Sequence, residues 1–356
     1  MWRSSSASAG GTSLRAGSGG PESTGAAYVN FTASIEYPLG STPQQITWAG
    51  GTVDGATAYN AANLLISDPL KLSTPIPKGE PFAVKTWRTV AANSRLLVTT
   101  DGSTVIQGGV SSPITAVDQV VAAASGLSDD TLNAGSPGSH NAGASNFFYP
   151  QLILGPTRLP SVIMLGTSRV YGVGDTGVNV DSPDRGSIAR SIGPHFAYCN
   201  AGVTASTIQA FAGSYSRRAA LMPYFSHAIL EHGTNDEIAG RTLSDMQSDF
   251  ATVIAALKSA NPKLRIFLTT PEPRTDASNT TPNASESVRV SRADWIRSRG
   301  IANVDGYFEV GDAVADGHNG SLWGSGTYTG DGIHETLAGY QQIVAAAAIP
   351  HSSIKR

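Results

Sequence analysis

Two kinds of hydrophobic patterning divide the chain. From Ala26 to about Asn133, short runs of β-type residues alternate with turn residues. The runs are Tyr28 to Ile35, Gln45 to Trp48, Phe82 to Val90 and Ser94 to Thr99, separated by Ala49-Gly50-Gly51, Pro77-Lys78-Gly79 and Asp101-Gly102. Between Phe82 and Val90 the alternation is imperfect but strand-like. Residues 25–135 therefore read as an all-β module of sandwich or jelly-roll type, followed by a linker at 136–150. Beyond it the period changes. Gln151 to Leu154, Ser161 to Leu165, His195 to Cys199, His227 to Glu231, Leu264 to Thr269 and Val304 to Val310 are short apolar runs, the kind buried on both faces of a parallel sheet.

Helical segments lie between these runs. Thr242 is an N-cap with Asp245 three residues on, and Leu243, Met246, Phe250, Val253, Ile254 and Leu257 form one stripe before Asn261-Pro262 ends it. A closing helix from Thr336 to Ala347 places Leu337, Tyr340 and Val344 on its apolar side. This strand–helix alternation predicts an α/β sheet over 151–356, with helices on both faces. Ligands in such sheets bind beyond the carboxyl ends of the strands. The polar turns fall there. Gly166-Thr167-Ser168-Arg169, Asn200-Ala201-Gly202 and Gly233-Thr234-Asn235-Asp236 each follow an apolar run, and Asp331-Gly332-Ile333-His334 precedes the closing helix.

Composition narrows the possibilities. Residues 1–24, rich in Ser, Gly and Ala, have too little apolar area to offset the entropy of ordering and are expected to be disordered. They contain no apolar core of a signal peptide. The formal charge of −3 gives no electrostatic case for a nucleic-acid partner, and no run reaches the roughly eighteen apolar residues of a membrane helix. One cysteine, Cys199, excludes an intrachain disulfide and a Cys-based metal cluster. Compartment is not determined. Low charge and 39 glycines tilt the reading toward an extracellular, cell-surface or virion-surface setting.

The four turns supply the parts of a nucleophilic hydrolase. A serine hydroxyl needs a base to take its proton, and histidine is the side chain suited to that near neutral pH. Ser168 and His334 are the candidates, with Asp331 holding the imidazole in one tautomer. The oxyanion formed on attack requires fixed donors, for which the backbone N–H groups of Ser168 and Gly202 and the side-chain amide of Asn235 are suited. At Gly202 the missing side chain would let backbone approach substrate.

Ser168, Gly202, Asn235 and the Asp331–His334 pair, in that order, resemble the motif blocks of the SGNH (GDSL-type) hydrolases. The resemblance covers about residues 151–349. It implies a three-layer α/β/α flavodoxin-like fold and ester hydrolysis through an acyl-serine, with no organic cofactor and no metal. One position departs from the pattern: Thr167 stands where the first block usually has Asp, which puts the hydrogen bonding of the nucleophile's turn in question.

Within this class the expected substrate is an O-acetyl or other short acyl ester, with an acetylated polysaccharide favoured because the β module would suit a polymer. The rivals are a lipase, arylesterase or thioesterase, and a silent glycan-binding or virion-surface protein. Arg169 reads as a surface charge or as a subsite for a polar or anionic group. Trp48, Tyr59 and Trp87 read as core residues or as sugar-stacking platforms, and Trp323 and Tyr328 as core or pocket wall. His227 and His232 read as structural, and Asp316 and His318 as cleft lining. Gly172 to Gly177 lacks the Lys-Ser/Thr ending of a phosphate loop.

Overall fold

The structure, a computed structural model, describes residues 2–3, 30–55, 64–77, 80–89, 129–135, 152–177 and 184–355. They fall into two compact units whose described parts meet in sequence at residues 154 and 155. The expected strand at Ser94 to Thr99, Tyr59, the linker and residues 4–24 lie outside the described residues.

The first unit is antiparallel. Strand β1 (Trp2–Arg3) pairs with β4 (Leu64–Leu65), and β2 (Asn30–Glu36) lies between β3 (Gln44–Ile46) and β5 (Ala83–Thr89). Side chains alternate across a strand, so Phe31, Ala33 and Ile35 share one face of β2. Phe31 and Ala33 pack with Ile46, Trp48, Leu65 and Val84. Trp48 is fully buried, edge-on to Phe31 at 5.3 Å between ring centroids, so it is core and not a stacking platform. Trp87 is half-buried, opposite Thr32 in the ladder. On the other face, the buried Glu36 carboxylate is paired with Lys85 and accepts the Gly135 N–H at 3.1 Å.

The second unit is a parallel sheet of five strands in the order β7-β6-β8-β9-β10. The strands are β6 (Ser161–Gly166), β7 (Ala197–Asn200), β8 (His227–Glu231), β9 (Arg265–Thr269) and β10 (Gly306–Phe308). In order of appearance this is 2-1-3-4-5, the flavodoxin-like doubly wound arrangement. Val162, Met164, Ile229 and Phe267 face one side. They join Val170 of α1 (Ser168–Tyr171), Ile188 and Ile192 of α2 (Ser187–Ile192), Val314 of α8 (Gly311–Val314) and Ile343 of α9 (Leu337–Ala345). The alternate residues Ile163, Leu165, Ala228, Leu230, Ile266 and Leu268 are equally buried. Their side carries the helix group α3 (Ile208–Ser214), α4 (Ser216–Ala219), α5 (Thr234–Ile238), α6 (Leu243–Ala260) and α7 (Glu286–Arg297). The result is three layers.

Helix α6 begins and ends where its sequence dictates. Thr242 and Asp245 form a reciprocal capping box, and Asn261 is the C-cap. Its buried stripe is Met246, Phe250, Val253, Ile254 and Leu257, each worth about 1.5–3 kcal/mol relative to exposure.

Three expectations need correction. Residues 152–154 form no strand, and Ile153 and Leu154 are 56% and 41% exposed. Strand β7 starts at Ala197 because the N–H groups of His195 and Phe196 are both used by the Ile192 carbonyl, closing α2. Helix α9 buries Gly339, Tyr340 and Ile343 and leaves Val344 exposed, since the Tyr340 hydroxyl donates to the Val173 carbonyl at 2.8 Å and fixes the rotation.

Candidate active site

The four polar turns meet at the carboxyl edge of the sheet. The first follows β6. Thr167 is the N-cap of α1, its hydroxyl accepting the Arg169 N–H, and Ser168 is the first helical residue. A first helical residue has no intrahelical acceptor for its N–H, so the Ser168 donor remains available. The helix stops after one turn at Gly172, whose φ of 84° is left-handed.

The closing turn is built by Asp331. Its Oδ1 accepts the N–H groups of Ile333 and His334 at 2.8 and 2.7 Å, and its Oδ2 lies 2.7 Å from His334 Nδ1. One oxygen therefore shapes the turn while the other orients the ring, which is the physical meaning of the three-residue spacing. Burial alone would raise the Asp331 pKa. The His334 N–H, the His334 ring and the Ile333 N–H outweigh that, and hold the carboxyl below its ordinary value. The other ring nitrogen, His334 Nε2, is 2.8 Å from Ser168 Oγ. Serine, histidine and aspartate thus form one continuous relay.

The three expected oxyanion donors are in different states. Asn235 donates one amide hydrogen to the Ser206 carbonyl at 2.9 Å, which leaves its second hydrogen over. The Gly202 N–H is engaged by Asn200 Oδ1 at 3.0 Å, and Asn200 Nδ2 donates to the Val170 carbonyl at 2.7 Å. The need for glycine at 202 also has a different cause from the one expected. A Cβ there would stand 2.7 Å from the Tyr171 backbone nitrogen, so it is helix α1 that approaches closely. Asp236 stitches the third turn to the second, its carboxylate accepting the Ile208 and Gln209 N–H groups at the start of α3.

Arg169 overturns both of its sequence readings. It is 2% exposed, and it faces protein on all sides. Its Nε and Nη2 donate to the Ile333 carbonyl at 3.0 and 2.7 Å, Nη2 also reaches the Pro273 carbonyl at 3.2 Å, and Nη1 pairs with Glu272. The guanidinium lies 5.8 Å from the Trp323 ring centroid. Burial opposes its charge, but Glu272, Glu335 and Glu231 raise its pKa further above the ordinary arginine value.

The missing Asp at position 167 is answered from another strand. Glu231, the last residue of β8, accepts both the N–H and the hydroxyl of Thr167 at 2.9 Å. A carboxylate at 167 would face this one directly; threonine donates to it. Burial and the neighbouring Glu272 carboxylate push Glu231 up to about 7, against Arg169 and the two Thr167 bonds. Glu335 makes no hydrogen bond through its buried carboxyl and lies 4.0 Å from Arg169 Nε. Burial, together with Glu272 and Glu231, pushes it up to about 8 despite Arg169.

Sequence reasoning missed Glu231, Glu272 and Glu335. The one available signal was an acidic residue at the end of an otherwise apolar run, as in His227 to Glu231. Other candidates stand apart from the relay. Trp323 is core, 2% exposed, and supports the closing turn by donating from Nε1 to the Gly332 carbonyl at 3.3 Å. Tyr328 packs against the same core. His318 pairs with Asp312 at 2.6 Å, Asp316 accepts the Leu322 N–H at 3.4 Å, and neither bonds to the relay. His232 is buried against Phe211, and burial with Arg218 and Arg292 nearby holds its ring well below the usual histidine range. Among the described residues, no group of three or more His, Cys, Asp or Glu could hold a metal ion, and no helix is long and apolar enough to cross a membrane.

Fold and relay together define the class: a serine hydrolase built on a doubly wound α/β sheet. The chain belongs to the GDSL-like lipase/acylhydrolase family, whose model matches residues 164–342, and it is a carboxylic ester hydrolase. Among solved structures it is similar to a lipolytic protein of the G-D-S-L family from Veillonella parvula, at 16% identity and a TM-score of 0.40 over 54% of this chain and 98% of that one. A GDSL-like lipase from Bacteroides thetaiotaomicron matches at 15% and 0.39, over 57% and 91%. A mutant of an acetyl-xylooligosaccharide esterase from Geobacillus matches at 13% and 0.39, over 52% and 91%. No curated protein matches the sequence.

Proposed function

We propose that this esterase removes O-acetyl or other short acyl groups from a carbohydrate through an acyl-serine intermediate. The observation that carries the mechanism is the unbroken relay from Ser168 Oγ through His334 to Asp331, at 2.8 and 2.7 Å. His334 Nε2 takes the Ser168 proton as Oγ bonds to the ester carbon. The carbonyl oxygen becomes an oxyanion facing the Ser168 N–H, the free hydrogen of Asn235 and the Gly202 N–H, which Asn200 then shares. Collapse breaks the ester bond, and His334 gives its proton to the departing alcohol. Water repeats the sequence on the acyl-serine, releasing the acid.

The short-acyl reading is supported by what surrounds the relay. The four turns are polar in composition, with Ile333 their one large apolar residue. A long acyl chain needs contiguous apolar lining, because each methylene left in water forgoes about 0.8 kcal/mol. The antiparallel β unit on the same chain supports a polymeric alcohol half.

The test is a series of nitrophenyl esters from acetyl to long chain, alongside acetate release from acetylated xylan and related glycans. Acetyl preference with release from a glycan is expected, and a long-chain optimum would overturn the reading. Ser168→Ala should abolish every one of these activities without unfolding the protein.

A further inference from the structure

The segment after β9 runs alongside the closing turn and is fastened to the relay's scaffold on both sides of Arg274. Glu272 pairs with Arg169, the Pro273 carbonyl accepts from Arg169 Nη2, and the Thr275 N–H donates to the Gly332 carbonyl at 2.9 Å. Gly332, at φ 78°, has no Cβ to collide with the Thr275 and Asp276 carbonyls, so the two backbones touch. The Arg274 carbonyl accepts the Asn283 N–H at 2.9 Å. The backbone of Arg274 is therefore fixed beside the turn that carries Asp331 and His334.

Its side chain, by contrast, has nothing to hold. Arg274 is half-buried, makes no ion pair and no side-chain hydrogen bond among the described residues, and its Nη1 is buried without a partner there. The buried arginines around it each have a carboxylate partner: Arg169 has Glu272, Arg289 has Glu286 and Arg292 has Glu237. The charges that Arg274 feels are Arg169, which repels it, and Glu237 and Asp331, which attract it. Both carboxylates are already committed, Glu237 to Arg292 at 2.8 Å and Asp331 to His334 at 2.7 Å. Glu237 lies on the same short helix as Asn235, so the guanidinium stands in the field of both the helix that carries Asn235 and the turn that carries His334. A half-buried cation without a partner is costly, and guanidinium is the side chain best suited to take a carboxylate through two parallel hydrogen bonds.

We propose that Arg274 is a specificity residue that receives a carboxylate carried by the ester substrate. The inference rests on the reading of the relay as the hydrolytic centre, and it narrows the substrate to an acidic ester. The carboxylate has two sources. It belongs to the alcohol half if an acetylated uronic acid is hydrolysed, or to the acyl half if the substrate is a half-ester of a dicarboxylic acid. Hydrolysis is unchanged in either case: water cleaves the ester bond, and the carboxylate takes no part in bond making.

The experiment compares matched substrates on the full chain. For the acyl half, nitrophenyl hemisuccinate is set against nitrophenyl butyrate. For the alcohol half, an O-acetyl glucuronate is set against its methyl ester. In at least one pair, kcat/KM should favour the charged member by on the order of tenfold or more, as expected for a hydrogen-bonded charge pair. That preference should shrink as salt is added. Arg274→Met should bring the ratio close to one, Arg274→Lys should keep part of it, and Arg274→Glu should invert it. Arg274→Met should also melt at a higher temperature than the parent, since an unpaired charge is removed. Ratios near one in both pairs for the parent protein, or ratios that Arg274→Met leaves unaltered, would overturn the proposal. Turnover of the neutral esters by the parent tests the relay separately, and silence on every ester would remove the relay reading and this inference with it.

Discussion

Arg169 donates twice to the carbonyl of Ile333, the residue immediately before His334, while its own chain neighbour is Ser168. Nucleophile and base are far apart in sequence, and this buried guanidinium joins their backbones directly.

Arg169→Met should therefore lower kcat by about 100-fold, the scale of loss from an ångström-sized misplacement, with a smaller change in KM. It should also cost about 3–5 kcal/mol of stability by leaving Glu272 buried without its partner. The double variant with Glu272→Gln should regain much of that stability and stay slow. Recovery of kcat together with stability in the double variant would mean that Arg169 acts on folding alone.

Asp331 divides its two oxygens between the turn backbone and the imidazole. Asp331→Asn retains an acceptor for the backbone but offers the ring an amide, favouring the wrong tautomer. A loss of roughly 10³–10⁴-fold in kcat with little change in melting temperature is expected. Unaltered kinetics would show that the relay ends at His334.

Asn235→Ala removes a donor to the oxyanion and should lower kcat by about 10²–10³-fold, while binding of substrate in the ground state changes little. The measurement is steady-state kinetics with nitrophenyl acetate. A purely raised KM would place Asn235 in substrate binding instead.

The buried acids set a pH dependence of stability. Glu231 and Glu335 have folded-state pKa values of about 7 and about 8, above their ordinary value of 4.5. In that window the folded protein holds more protons than the unfolded chain, so stability falls as pH rises and levels off above the folded values. The melting temperature should drop between about pH 5 and about pH 8. Glu335→Gln should flatten the decline, and melting curves across that range check it.

Much of the site was legible in sequence because its chemistry sits in turns. A turn after an apolar run can be located from the run alone, and Ser168, Asn235 and the Asp331–His334 pair fall where such turns occur. The capping box of α6 was equally plain, since both of its partners lie within one turn. Arg169 and its acids were not. Their partners come from β8, from the segment after β9 and from the turn just before α9, and pairing between segments so distant in sequence leaves no periodic trace. The rotation of α9 escaped for a related reason: it is set by a Tyr340 hydroxyl reaching Val173, not by the apolar stripe.

For a protein engineer, the ionic knot beneath the serine acts as an indivisible cassette. Thr167 is matched to Glu231, and Arg169 to Glu272 and to the carbonyl of Ile333. Moving this nucleophile turn into another esterase would carry a buried cation without its acids. Restoring the usual Asp at 167 here would set two carboxylates face to face. Substrate range is therefore better redesigned at Arg274 itself, because the knot's bonds run to Glu272 and to the Pro273 carbonyl and not to the Arg274 side chain.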